Sequence, residues 1–170
     1  MSLASRGMVA AVRLAPWVPE PVLRACAQVA ADVTWWRRGA GVRRLEANLA
    51  RVRADLTQAQ VRALSREGMR TYLRYYAEAF ALPGVDPDAV LARVRPEGIE
   101  DVFAESRAGR SVLLALGHQG NWDLAGVWAT RVISPVTTVA ERLEPEEVFR
   151  LFLDLREAIG KGLTVKPIRN

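Results

Sequence analysis

Soft metal ligands are nearly missing from this chain. Its 170 residues hold one cysteine, Cys26, and one histidine, His118. One cysteine excludes an internal disulfide framework. The same scarcity argues against a zinc site of the His/Cys type, so no metal is expected. Any histidine chemistry falls on His118. Lysine is also scarce, with Lys161 and Lys166 standing against 22 arginines, a bias of the kind that a GC-rich genome imposes. Long apolar runs are absent too. The window from Val22 to Trp36 contains Arg24 and Asp32, whereas a membrane span needs about 20 mainly apolar residues. The run after Arg6 is broken by Arg13, which excludes a clean signal peptide. The expected location is therefore the cytoplasmic side, with any membrane contact peripheral.

Half of the residues are hydrophobic and a quarter are charged, enough for a real core. The charge is unevenly spread. Residues 1–82 carry 13 arginines and 6 acids, net +7, while residues 83–170 are net −2. A basic front half suits a polyanion or an anionic membrane surface. A basic nucleic-acid-binding module is the rival from another class, but no recognition motif accompanies the charge. No nucleic-acid partner is expected.

The front half reads as helices. Prolines 16, 19 and 21 separate a first helix from a second that ends near Trp35 and Trp36. Leu45, Leu49, Val52 and Leu56 recur at helical spacing. Thr57 and Gln60 have the form of a capping box for a long helix that stops near Pro83. On that helix Arg62, Arg66, Arg70 and Arg74 form a row, either facing phosphate or simply solvated. Trp17, Trp35 and Trp36 suit either a lipid interface or a core.

After Gly109 the pattern changes. Ser111–Leu116 (SVLLAL) predicts a buried strand, Asn121–Val132 a helix, Val136–Ala140 a strand, Pro145–Ile159 an amphipathic helix and Leu163–Ile168 a strand. That order is a βαβαβ unit with a parallel sheet. The expected fold is α/β. Helices over 1–95, taken as a membrane-associating region, pack on an α/β catalytic region over 96–170.

Gly117-His118-Gln119-Gly120-Asn121-Trp122-Asp123 falls between the first predicted strand and its helix. Ligands of open α/β sheets sit at the carboxyl ends of strands. Asn121 is placed to cap the helix, with Asp123 in its first turn. A chain folding back there brings the carboxylate to the imidazole, fixing its tautomer and making His118 a general base. Spacing alone does not separate that arrangement from a loop histidine beside an acid that merely caps.

His-x-x-x-x-Asp after an apolar strand resembles the signature of the glycerolipid acyltransferases. The fuller string LGHQGNWDLAGVW, followed by TVAERLEPEEVF and LREAIG, is similar to the bacterial lipid A acyltransferases. It is most similar to the actinobacterial phosphatidylinositol mannoside acyltransferases. The resemblance covers most of residues 15–160. It implies an enzyme that moves an acyl chain from acyl-CoA, a co-substrate, to a sugar hydroxyl of a membrane glycolipid. No further cofactor is implied. His118 matches the catalytic base and Asp123 its partner. Glu141, Arg142 and Arg156 match polar positions expected to hold the acceptor head group or CoA phosphates. A mannose of phosphatidylinositol mannoside is the expected acceptor, a lipid A precursor the alternative. Residues 161–170 depart from the family pattern, so the resemblance implies a C-terminally incomplete sheet and, as a further alternative, an inactive fragment.

Overall fold

A computed structural model of the chain describes residues 3–117, 119–142, 144, 146–159 and 163–168. His118, the predicted base, lies outside the described residues. The elements are α1 (Leu3–Leu14), α2 (Glu20–Arg37), α3 (Ala40–Val52), α4 (Gln58–Ala81), α5 (Pro87–Arg93), α6 (Glu100–Arg107), α7 (Trp122–Val132), β1 (Val136–Glu141), α8 (Glu146–Ile159) and β2 (Leu163–Ile168). The chain is mostly helical with a small parallel sheet. It divides into two compact units: residues 18–78, and residues 1–17 with 79–170.

Local chemistry accounts for several helix ends. Thr57 and Gln60 close the expected box at the start of α4: the Thr57 N–H donates to Gln60 Oε1 at 2.8 Å and the Gln60 N–H to Thr57 Oγ1 at 3.3 Å. Asp86 caps α5 by accepting from the Asp88 N–H at 3.1 Å. Arg38, at φ 48°, ends α2 in the left-handed region. Helix α6 was not read from periodicity, although Glu100 and Asp101 in its first turn and Arg107 in its last match the helix dipole.

Within the 18–78 unit, α2, α3 and α4 are joined by ion pairs. Trp35 Nε1 donates to the Arg62 carbonyl at 3.1 Å and to Ser65 Oγ at 3.0 Å, and the Arg62 guanidinium lies 3.6 Å above the Trp35 ring. Glu46, buried, accepts from Arg62 at 2.5 Å and from Arg38 at 3.0 Å. Asp32 takes both Arg66 and Arg70 in two-pronged bonds of 2.8–3.0 Å. Arg74 pairs with Glu78 at 3.7 Å. Each arginine of the α4 row is therefore matched to a carboxylate and the row is not a bare phosphate-facing stripe: Arg62, Arg66 and Arg70 form a seam with α2 and α3, while the exposed Arg74 pairs along its own helix. Trp35 belongs to that seam, whereas Trp36 and Trp17 are 75% and 86% exposed.

The second unit holds the apolar core of Leu82, Val90 and Val127, with Val85 and Leu124 against it. Helix α1 packs on α8, and α7 on α5 and the sheet. The short turn Leu82–Gly84 meets the turn Ala15–Trp17 so closely that a Cβ on Gly84 would stand 2.5 Å from the Pro16 carbonyl oxygen. Strands β1 and β2 pair in parallel, in register from Val136 with Leu163 to Glu141 with Ile168. Helix α8 is their crossover, as the sequence predicts. Along β1, Val136, Thr138 and Ala140 are half-buried and their neighbours exposed.

One predicted strand is corrected. Residues 111–116 form no strand, and among the described residues the sheet has two strands, β1 and β2. Leu113 is 96% exposed, and Leu114 and Leu116 are exposed as well. The run has the composition of a buried strand, but among the described residues no strand pairs with it. Composition supplies a preference for extended structure, and a strand needs a neighbour.

Candidate active site

The turn before α7 is built as its residue types require. Gly120 has φ 64°, in the left-handed region that glycine enters freely. Asn121 follows as the cap, its Oδ1 accepting the Leu124 N–H at 3.0 Å. Asp123 then falls in the first turn of α7, where the helix dipole favours a negative charge. Asp123 is buried, at 4% exposure.

A buried carboxylate needs a partner, and α8 supplies it. Arg156, in the last turn of α8, places Nε 3.2 Å from Asp123 Oδ1. Its guanidinium also lies 4.5 Å over the ring of Trp122, the residue before Asp123. Two of the predicted site residues, 33 positions apart in sequence, thus meet in one buried pair. Arg156 reaches Asp123 through Nε while its guanidinium lies over Trp122.

Glu141 and Arg142 stand at the carboxyl end of β1, where α/β folds bind ligands. Both are exposed. Arg142 Nε donates to Glu146, the first residue of α8, at 2.9 Å, and its guanidinium is 5.8 Å from the Phe149 ring. That hydrogen bond holds the Glu146 carboxyl below its ordinary range.

Beside Asp123 a cavity of about 410 Å³ opens, within the 300–1,000 Å³ typical of small-molecule sites. Its walls are mainly apolar and include Leu113, Leu116, Trp128, Ile133 and Val136, with Asp123 and Trp122 also lining it. Gly126 on α7 forms part of the wall, and a Cβ there would meet nothing within 4 Å. Sequence reasoning missed this cavity. The available signal was Gly126 itself, a lone glycine inside a helix, flanked by Leu124, Ala125, Val127 and Trp128, which usually has a packing or binding reason. Among the described residues no group of three His, Cys, Asp or Glu side chains stands ready for a metal ion.

Known proteins match this sequence. The family model for bacterial lipid A biosynthesis acyltransferases matches residues 6–167. A phosphatidylinositol mannoside acyltransferase of Mycolicibacterium smegmatis is 37% identical over 154 residues, covering 91% of this chain and 50% of the relative. One from Mycobacterium tuberculosis is 38% identical over 129 residues, covering 74% of this chain and 40% of the relative. The chain spans half or less of the length of the curated relatives it matches. With nearly its whole length inside the family model, the chain belongs to the bacterial lipid A biosynthesis acyltransferase family.

Proposed function

We propose that the chain forms the acyl-donor side of an O-acyltransferase site, moving a fatty acyl group from acyl-CoA to a sugar hydroxyl of a membrane glycolipid. A mannose of phosphatidylinositol mannoside is the acceptor favoured by the names of the relatives. The observation that carries the reading is the apolar cavity walled by buried Asp123 of the His-x-x-x-x-Asp motif.

In this reading His118 takes the proton of the acceptor hydroxyl while the oxygen attacks the thioester carbonyl carbon. The carbon–sulfur bond then breaks, and the CoA thiolate takes the proton back from the imidazolium. Asp123 orients the ring and stabilises its charged form, and Arg156 holds the Asp123 carboxylate in place. Glu141 and Arg142, at the strand end, bind the acceptor head group or CoA phosphates. No described helix is long and apolar enough to cross a membrane. The enzyme works peripherally on the cytoplasmic face, against an anionic lipid surface.

The test follows labelled acyl groups from acyl-CoA to a mannosylated phosphoinositide. His118→Ala lowers transfer by roughly 10²–10⁴, and an undiminished rate overturns the mechanism. Binding is read separately, from the change in tryptophan fluorescence as long-chain acyl-CoA enters beside Trp122 and Trp128. Absence of both transfer and binding overturns the assignment for this chain.

A further inference from the structure

Helix α2 carries an apolar stripe with nothing on it. Val22, Cys26, Val29, Val33 and Trp36 are spaced four, three, four and three apart, so they lie along one face for about 21 Å at 1.5 Å per residue. All five are exposed, Val29 at 65% and Trp36 at 75%. Ala25, on the same face, is exposed as well. The opposite face is the one in use: Ala31 is fully buried, and Trp35 points to Arg62 and Ser65. The stripe is therefore not the core face of α2 seen from an unusual angle. It is a second apolar face.

Charge identifies its occupant. The unit of residues 18–78 holds eleven arginines and six carboxylates. All six carboxylates are already paired: Glu20, Asp32, Glu46, Asp55, Glu67 and Glu78. Seven of the arginines take those carboxylates, which leaves Arg37, Arg43, Arg44 and Arg51 with no carboxylate partner among the described residues, the first two at the Trp36 end of the stripe. Arg37 directly follows Trp36. Arg43 donates to the Arg38 carbonyl at 2.8 Å, which holds it at the same end of the helix. An apolar stripe that ends in an indole and two uncompensated arginines has the composition of a helix lying in an anionic lipid interface. A second copy of the chain fits worse. Positions flanking the stripe are Leu23, Ala30 and Arg37 on one side and Ala25 and Asp32 on the other, with Asp32 already taken by Arg66 and Arg70. No complementary charges remain to pair two such helices.

We infer that α2 docks the protein on the membrane, with Val22, Cys26, Val29, Val33 and Trp36 seated among the lipids and Arg37 and Arg43 on anionic head groups. This rests on the reading above only in taking membrane lipid as partner. It is measured without acyl donor, so its failure leaves acyl transfer standing, and the reverse.

The full chain, labelled at Cys26 with a polarity-sensitive fluorophore, is mixed with vesicles of phosphatidylcholine alone or with added phosphatidylinositol. The probe shifts to the blue on the anionic vesicles, and the chain sediments with them. Val29→Ser/Val33→Ser, with helix content checked by circular dichroism, binds at least roughly tenfold more weakly. Arg37→Gln and Arg43→Gln each cost about fivefold, and added salt removes that difference. Sedimentation with vesicles without a probe shift means that another face docks, and overturns the inference. So does failure to bind vesicles. A concentration-dependent dimer that shifts the probe without lipid overturns it in favour of a second copy.

Discussion

Arg156 and Asp123 form an ion pair inside the protein, Nε to Oδ1 at 3.2 Å, with side-chain exposures of 11% and 5%. The pair ties the last turn of α8 to the first turn of α7. It therefore links the crossover of the β1–β2 pair to the motif that carries His118. Removing one partner of a buried pair leaves a charge without water or counter-charge, which costs roughly 3–5 kcal/mol. Arg156→Met should lower stability by that order in urea unfolding. Asp123→Asn/Arg156→Met should cost less than the sum of its two single changes, because no buried charge is left. An Arg156→Met variant as stable as wild type would show that the pair is not formed in solution.

Gly126 separates stability from binding. Its Cβ position is open, and glycine within a helix costs roughly 0.5–1 kcal/mol relative to alanine. Gly126→Ala should stabilise the chain by about that amount. Gly126→Leu, which extends into the cavity, should remove the fluorescence response to long-chain acyl-CoA while leaving the fold intact. Undiminished binding by Gly126→Leu would move the acyl site elsewhere.

Leu113 tests the corrected strand. At 96% exposure its side chain has left little water behind. Leu113→Asp should change stability by no more than about 0.5 kcal/mol. Phe149→Ala, at a buried position of α8, should cost roughly 3–5 kcal/mol. If Leu113→Asp unfolds the chain, residues 111–116 are buried in a sheet after all.

Acid should act on the paired carboxylates of the 18–78 unit. Hydrogen bonds from Arg70 and then Arg66 hold the Asp32 carboxyl well below the usual range. Burial pushes the Glu46 carboxyl up, but the bonds from Arg62 and Arg38 outweigh it and hold that group low as well. A depressed carboxyl contributes its stability above its unfolded value, about pH 4, and loses it as pH falls toward the folded one. Far-UV circular dichroism should therefore be level from neutral pH to about 4 and fall below it. Asp32→Asn should lower the thermal midpoint at neutral pH and flatten that acid limb. Helix loss in the wild type that begins near neutral pH would contradict these pairings.

The amino-acid sequence determined what depends on neighbours along the chain. The Thr57–Gln60 box, the Asn121 cap, the Asp86 cap and the β1–α8–β2 order are set within a few residues. There, hydrogen bonding and hydrophobic period act directly, and the family followed from a contiguous motif. Tertiary structure alone decided the rest. Whether Arg66 faces lipid or Asp32, whether Trp35 or Trp36 is exposed, and whether SVLLAL pairs as a strand all depend on groups tens of residues away. The same holds for Arg156, expected by resemblance at a head group or CoA phosphate, whose pairing with Asp123 appears only once α8 brings the two together. A helix period says which side chains share a face, but what covers that face is set by packing, through burial and the cost of leaving a charge or a backbone amide without a partner.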